Sequence, residues 1–350
     1  MMGRGRGTCK DVASRFDVLA RMAEPDSDPD FEPGRQLPTE VIEERARSII
    51  SSNSSPDVPF NRSVNPYAGC EHGCIYCYAR PSHGYLNLSP GLDFETKLFA
   101  KPEAAKLLRT ELARPSYRCS PIALGVNTDS YQPIERELKI VRQVLEVLAE
   151  CKHPLSIITK SALVERDIDL LAQLASDNLV QVFISVTTLD AELARKLEPR
   201  AASPRRRLQA MRVLNAAGVP CGVLVAPVIP FLTDSELESI LQAASEHGAR
   251  TAAYTLLRLP YELKDLFKDW LAVHYPLKAE HVMSRLREMR DGRENDPEFG
   301  SRFRGSGLFA QLLSQRFQLA RERLGLNLEA VALDITKFVK PNFSGQRSLF

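Results

Sequence analysis

Between Asn61 and Leu256 the chain alternates short apolar runs with segments of helical spacing, and that alternation limits the folds open to it more than any other feature. Pro121 to Val126, Leu155 to Thr159, Val180 to Val186, Cys221 to Val225 and Thr251 to Leu256 read as buried strands, each a brief run of apolar or β-branched residues. Pro102 to Ala113, Ile134 to Ala149, Asp167 to Ala175, Arg205 to Ala217 and Ser235 to Glu246 read as helices. In the second of these, Ile140, Val141, Val144, Leu145 and Leu148 share one face. Gly218 and Gly248 stand where two of the helices must stop. With Ser63 to Tyr67 leading in, this makes about six strand-helix units. Parallel strands joined by helices close into a barrel or part of one, with functional residues at the carboxyl ends of the strands. The expected fold is therefore α/β, a partial (βα)6 TIM-like barrel over residues 61–260.

The flanks read differently. Residues 1–60 lack sustained periodicity and hold the acidic run Glu24-Pro25-Asp26-Ser27-Asp28-Pro29-Asp30 and the polar run Ser51 to Pro56, which predicts a partly disordered N-terminal extension. Within it, Thr39 offers a cap for a short helix over Glu40 to Ile50. Residues 261–350 read as a mainly helical extension, with helices over Leu263 to Tyr275, Ala279 to Met289 and Leu308 to Leu324 and a tail from Asn327.

One stretch does not belong to this pattern. Cys70-Glu71-His72-Gly73-Cys74-Ile75-Tyr76-Cys77 places three cysteines in eight residues. Thiolates are soft ligands, and spacings of three and two intervening residues let a loop wrap one small object, since three extended residues reach at most about 10 Å. Gly69 and Gly73 flank ligand positions and can turn backbone amides toward sulfur. An iron-sulfur cluster suits the loop, with one iron left open by a count of three. Zinc suits it less well, because structural zinc takes four protein ligands and the fourth would have to be His72, His83 or the distant Cys119.

Composition narrows the setting. Seven cysteines, an odd number without paired spacing, point to a reducing compartment. The run Cys221 to Leu232 is broken by Pro227 and Pro230 and is too short to span a bilayer, and residues 1–20 lack a secretory apolar segment. The expected location is the cytoplasm. With 46 basic and 44 acidic residues, net charge gives no argument for nucleic acid as a partner.

The motif CxxxCxxC with Tyr76 just before the third cysteine resembles the signature of radical S-adenosylmethionine enzymes. Asn65-Pro66-Tyr67, Thr128-Asp129-Ser130-Tyr131-Gln132-Pro133 and Thr159-Lys160-Ser161 further resemble the branch related to spore photoproduct lyase, a DNA-repair enzyme. The resemblance covers residues 60 to 260. It implies that Cys70, Cys74 and Cys77 hold a 4Fe-4S cluster and that S-adenosyl-L-methionine binds the open iron and is cleaved to a 5′-deoxyadenosyl radical. It implies a one-electron reductant such as flavodoxin or ferredoxin, and a substrate left open, with nucleic acid among the candidates.

Further positions follow. Thr128, Asp129 and Ser130 fall where such enzymes touch the cofactor's amino group, although turn chemistry alone also explains Asp and Ser there. Lys160 is expected at the cofactor carboxylate, and Ser185 is a candidate of the same kind. Glu198-Pro199-Arg200 reads as a rim loop with an exposed ion pair, and Arg205-Arg206-Arg207 as a solvated face. Spore photoproduct lyase returns a hydrogen atom from a cysteine just after the second strand. Pro121 to Gln132 contains none, which separates the cofactor chemistry from the repair reaction. Repair of DNA lesions, and a zinc-stabilised nucleic-acid-binding module, are the two alternatives to a radical enzyme of open substrate.

Overall fold

The computed structural model describes residues 5–9, 12–16, 38–326 and 332–341. The acidic run at 24–30 and most of the tail beyond 326 lie outside the described residues.

The principal sheet has seven strands. Ile50–Ser52 (β2) lies at one edge and pairs antiparallel with Arg62–Val64 (β3). Five more strands then follow in parallel, Ile122–Leu124 (β6), Leu155–Thr159 (β7), Val180–Ser185 (β8), Cys221–Val228 (β9) and Thr251–Leu256 (β10). From β3 to β10 this is the partial (βα)6 barrel. Alternate residues along β7 and the first four of β8 are buried, and hydrophobic side chains between strands and helices form one continuous core. A separate three-stranded sheet joins Glu40–Glu43 (β1), Lys97–Ala100 (β5) and Tyr67–Ala68 (β4) in the order β1-β5-β4.

Helices cover the outside of the barrel. Leu92–Thr96 (α1) and Ala104–Leu112 (α2) precede β6, and α2 packs on Ile140–Glu150 (α4). Ile168–Ser176 (α5), Pro204–Ala216 (α7) and Leu237–Glu246 (α8) fill the later crossovers, with Ala191–Leu197 (α6) ahead of α7. Ser203 caps α7 by accepting from the Arg206 amide, and Pro204 opens it, where a missing N–H costs nothing. The C-terminal extension contributes Leu263–His274 (α9), Pro276–Glu288 (α10) and Gly307–Arg323 (α11), the last packed on α8.

Two expectations are corrected. The predicted helix over Glu40 to Ile50 is instead strand β1 followed by a loop, because Val41 and Ile42 pair with Leu98 and Phe99 and complete the small sheet. The single helix expected over Ile134 to Ala149 breaks at Lys139, which takes φ +52° between Glu135–Leu138 (α3) and α4. The cause is Glu135. Its buried carboxylate accepts from the Val141 amide at 3.1 Å, so it caps α4 from the preceding helix, and it also takes the Tyr67 hydroxyl.

Candidate active site

The cysteine loop leaves β4 at Gly69 and is held from three directions. The Cys70 amide donates to the Phe94 carbonyl at 3.0 Å and the Ile75 amide to the Leu197 carbonyl at 3.0 Å. Gly73 to Cys70 and Cys77 to Cys74 close successive turns at 3.3 and 3.2 Å. Gly69 sits at φ +79°, where a Cβ would lie 2.9 Å from the Leu98 side chain, so glycine is required to start the loop. Beneath it, the fully buried Arg80 donates to the carbonyls of Cys74 at 2.8 Å, Gly73 at 3.0 Å and Gly91 at 3.0 Å, and pairs with the buried Glu95. Glu95 in turn accepts the amides of Gly7 and Thr8, each at 3.0 Å, so residues 5–9 lie against the loop.

Cys70 and Cys74 are buried and Cys77 is half-buried. All three line one cavity of about 260 Å³ at the carboxyl ends of the barrel strands, beside Gly125 to Asp129 after β6, Lys160 after β7 and Ser185 at the end of β8. Burial, and then Asp129 and the other two thiols, push the Cys70 thiol well above its ordinary value. Burial, and then Glu198, push Cys74 up to about 12. In the protein alone these two are therefore protonated at neutral pH, and a metal centre that took them as ligands would displace their protons. Among the described residues, no group of three His, Cys, Asp or Glu side chains stands in the arrangement of a single-ion metal site.

Most of the polar residues expected at the rim reach this cavity, though several are already engaged. Thr128 donates to the Tyr67 carbonyl at 2.9 Å. Asp129 accepts the Thr159 hydroxyl and the Lys160 amide, each at 2.7 Å, and one oxygen stands 3.4 Å from Nδ1 of the buried His72. Ser130 is buried, its hydroxyl has no partner among the described residues, and it does not line the cavity. The Lys160 ammonium lies 5.7 Å from the Tyr76 ring centroid, with no carboxylate bound to it among the described residues. Ser185 donates to the Ala226 carbonyl at 3.2 Å. Tyr131 is buried and donates to Asp167 at 3.1 Å.

The clearest departure from expectation lies at Glu198 and Arg207. Instead of a rim ion pair and a solvated face, the two are fully buried and bonded to each other. Arg207 also donates to the carbonyls of Ala202 at 2.7 Å and Ser185 at 3.0 Å. Glu198 receives the hydroxyls of Thr187, at 2.8 Å, and Tyr76, so the aromatic residue of the cysteine motif is anchored from below. Burial would raise the Glu198 pKa, but the Arg207 and Lys160 charges outweigh it and hold it near about 2. Arg205 and Arg206 remain exposed, and Arg206 forks onto Glu165. Nothing in the sequence distinguishes Arg207 from its two neighbours except helical phase, which turns it inward. Arg80 and Glu95 were equally invisible, since a lone arginine in a polar loop carries no signal of burial.

Comparison with known proteins bears on this arrangement. The sequence model of the Radical SAM superfamily matches residues 64–244. The uncharacterized protein Rv2578c of Mycobacterium tuberculosis is 41% identical over 234 residues, covering 66% of this chain and 68% of that protein. The uncharacterized protein MJ0683 of Methanocaldococcus jannaschii is 26% identical over 246 residues, 70% and 88% of the two chains. In structure, spore photoproduct lyase complexed with dinucleoside spore photoproduct superposes with a TM-score of 0.59 at 14% identity, over 81% of this chain and 79% of that one, a likeness of fold. Among the described residues no helix is long and apolar enough to cross a membrane. From the family match and the barrel that carries the cysteine motif, the chain belongs to the radical S-adenosylmethionine superfamily and is an enzyme of that class.

Proposed function

We propose that Cys70, Cys74 and Cys77 hold a 4Fe-4S cluster, that S-adenosyl-L-methionine binds beside it in the same cavity, and that the enzyme abstracts hydrogen from a substrate still to be identified. The observation that carries this reading is the convergence of three thiols and one lysine, without a carboxylate partner among the described residues, on a single cavity at the carboxyl end of a parallel barrel. Bound there, the cluster and cofactor would supply one-electron reductive cleavage of the sulfonium and a 5′-deoxyadenosyl radical.

The chain's own residues supply position and exclusion. Arg80 and the Glu198–Arg207 pair fix the loop from two sides, which keeps the thiols in place before any metal is bound. The Lys160 ammonium is available to the cofactor's carboxylate. Asp129, held by Thr159 and the Lys160 amide, presents a fixed negative charge to the cofactor's amino group. Val58, Phe60 and Phe303 give the cavity a mainly apolar wall that excludes water from a reactive radical. The reductant is a one-electron carrier such as flavodoxin or ferredoxin.

A lesion-repair reaction lacks the donor that the branch resemblance requires. Cys119 is half-buried ahead of β6, at the opposite end of the strand from the cavity, and does not line it. Anaerobic purification and reconstitution tests the central reading. A brown protein with about four irons and four sulfides per chain is expected, and a colourless protein that retains zinc would sink it.

A further inference from the structure

The wall of the cavity facing away from the barrel rim is built by segments from both flanks. The Leu256 amide donates to the Phe303 carbonyl at 2.9 Å, which brings the loop before α11 over the end of β10. The Gly300 amide donates to Asp57 at 2.7 Å and joins that loop to the segment carrying Val58 and Phe60.

Three arginines meet here, and two of them reach acceptors or a carboxylate. Arg302 pairs with Asp57 at 2.5 Å. Arg290 donates from its terminal nitrogens to the carbonyls of Leu257 at 2.5 Å and of Arg302 at 3.4 Å. Arg258 lines the cavity with the cysteines and has neither a hydrogen-bond acceptor nor a carboxylate partner among the described residues, and its Nε is buried. The nearby carboxylates are committed elsewhere, Asp57 to Arg302 and the Gly300 amide, Asp296 to the Ser301 hydroxyl at 2.6 Å and the Glu298 amide at 2.9 Å. Burial, and after it the neighbouring Arg302, pull the Arg258 pKa below the usual guanidinium value.

A half-buried guanidinium that no carboxylate pairs with directly among the described residues costs free energy in the empty protein, and the Phe303 ring, 5.0 Å from the Arg258 guanidinium carbon, offsets only part of that. A planar fork of donors beside apolar and aromatic walls matches an oxyanion carried on a hydrophobic or aromatic body. Lys160, on the cysteine side of the cavity near Tyr76, is the separate charge offered to the cofactor.

We propose that Arg258 anchors a carboxylate or phosphate group of the substrate, so that the enzyme acts on an organic anion whose apolar part is held between Arg258 and the cysteine thiols. The assignment to substrate rests on the reading given under Proposed function, but the oxyanion site itself does not. The test is labelling of the full chain with phenylglyoxal, with Arg258 followed by peptide mass mapping. It is run on the metal-free chain and on the reconstituted chain with S-adenosyl-L-methionine, with inorganic phosphate and acetate as probes.

The expected result is that one or both probes slow labelling of Arg258 by about tenfold at about ten times the probe's dissociation constant, in both forms of the chain. The more protective probe identifies phosphate or carboxylate as the group bound. An unchanged labelling rate with both probes overturns the proposal. Full protection by S-adenosyl-L-methionine alone also overturns it, since Arg258 would then belong to the cofactor. If reconstitution fails while the metal-free chain still shows protection, the cluster reading falls and the oxyanion site stands.

Discussion

Arg207→Met removes the buried cation beneath the cysteine loop while keeping an unbranched side chain of similar reach. The change deletes the ion pair with Glu198 and leaves the Ala202 and Ser185 carbonyls without donors, at a position where both charged partners are fully buried. Removing one member of a buried pair costs about 3–5 kcal/mol. Glu198 keeps the Tyr76 and Thr187 hydroxyls and the field of Lys160, so the expected loss is about 4 kcal/mol, a large share of the 5–15 kcal/mol typical of a domain. In urea unfolding of the metal-free chain, followed by far-ultraviolet circular dichroism, an m value of about 3 kcal/mol/M converts this to a midpoint lower by about 1.3 M. The double variant Arg207→Met with Glu198→Gln should recover at least about 1 kcal/mol, because no uncompensated charge remains. A single variant within about 0.3 M of the parent midpoint, or a double variant no better than the single, would refute the argument.

Backbone shape gives a second expectation. Gly125 ends β6 at φ +81°, and a Cβ there would stand 2.0 Å from the Ile158 carbonyl oxygen, so Gly125→Ala should cost well above the ~1 kcal/mol expected for Gly218→Ala. Gly218 shares a positive φ, of +79°, but has no atom within 4 Å of its Cβ position, and equal losses in the same unfolding assay would contradict the steric account. A third expectation concerns pH. His153 is buried, bonded to the Tyr117 hydroxyl at 2.7 Å, and burial holds its pKa down from 6.5 to about 4. Its neutral form therefore contributes stability that is complete above pH 6.5 and is lost as pH falls from 6.5 through 4, up to about 3 kcal/mol. His153→Gln should flatten the stability profile over that window, and an unchanged slope would show that other groups set it.

The sequence was most legible where a single local signal decided the structure. β7 and β10 have the bounds read from their apolar runs, since short buried strands flanked by turn residues leave little choice. The first barrel strand, Arg62–Val64, has only three residues and owes its existence to pairing with β6, which no local pattern encodes. The break at Lys139 was hidden for a similar reason, because the group that caps α4 is a buried glutamate from the preceding helix. At the site, the cysteines stood out by spacing alone. Glu198, Arg207 and Arg80 did not, because charged residues are read as solvated unless tertiary structure supplies a partner. Arg258 and Phe303 are 45 residues apart in number and meet only because the C-terminal loop extends along β10.

The most direct test of the central claim is formation of 5′-deoxyadenosine from S-adenosyl-L-methionine by the reconstituted chain under dithionite, with and without Cys74→Ala. The parent chain should produce it, and the variant should lose both iron and product while keeping the barrel's circular dichroism. Production of 5′-deoxyadenosine by the variant at the parent's rate would contradict the assignment of the loop.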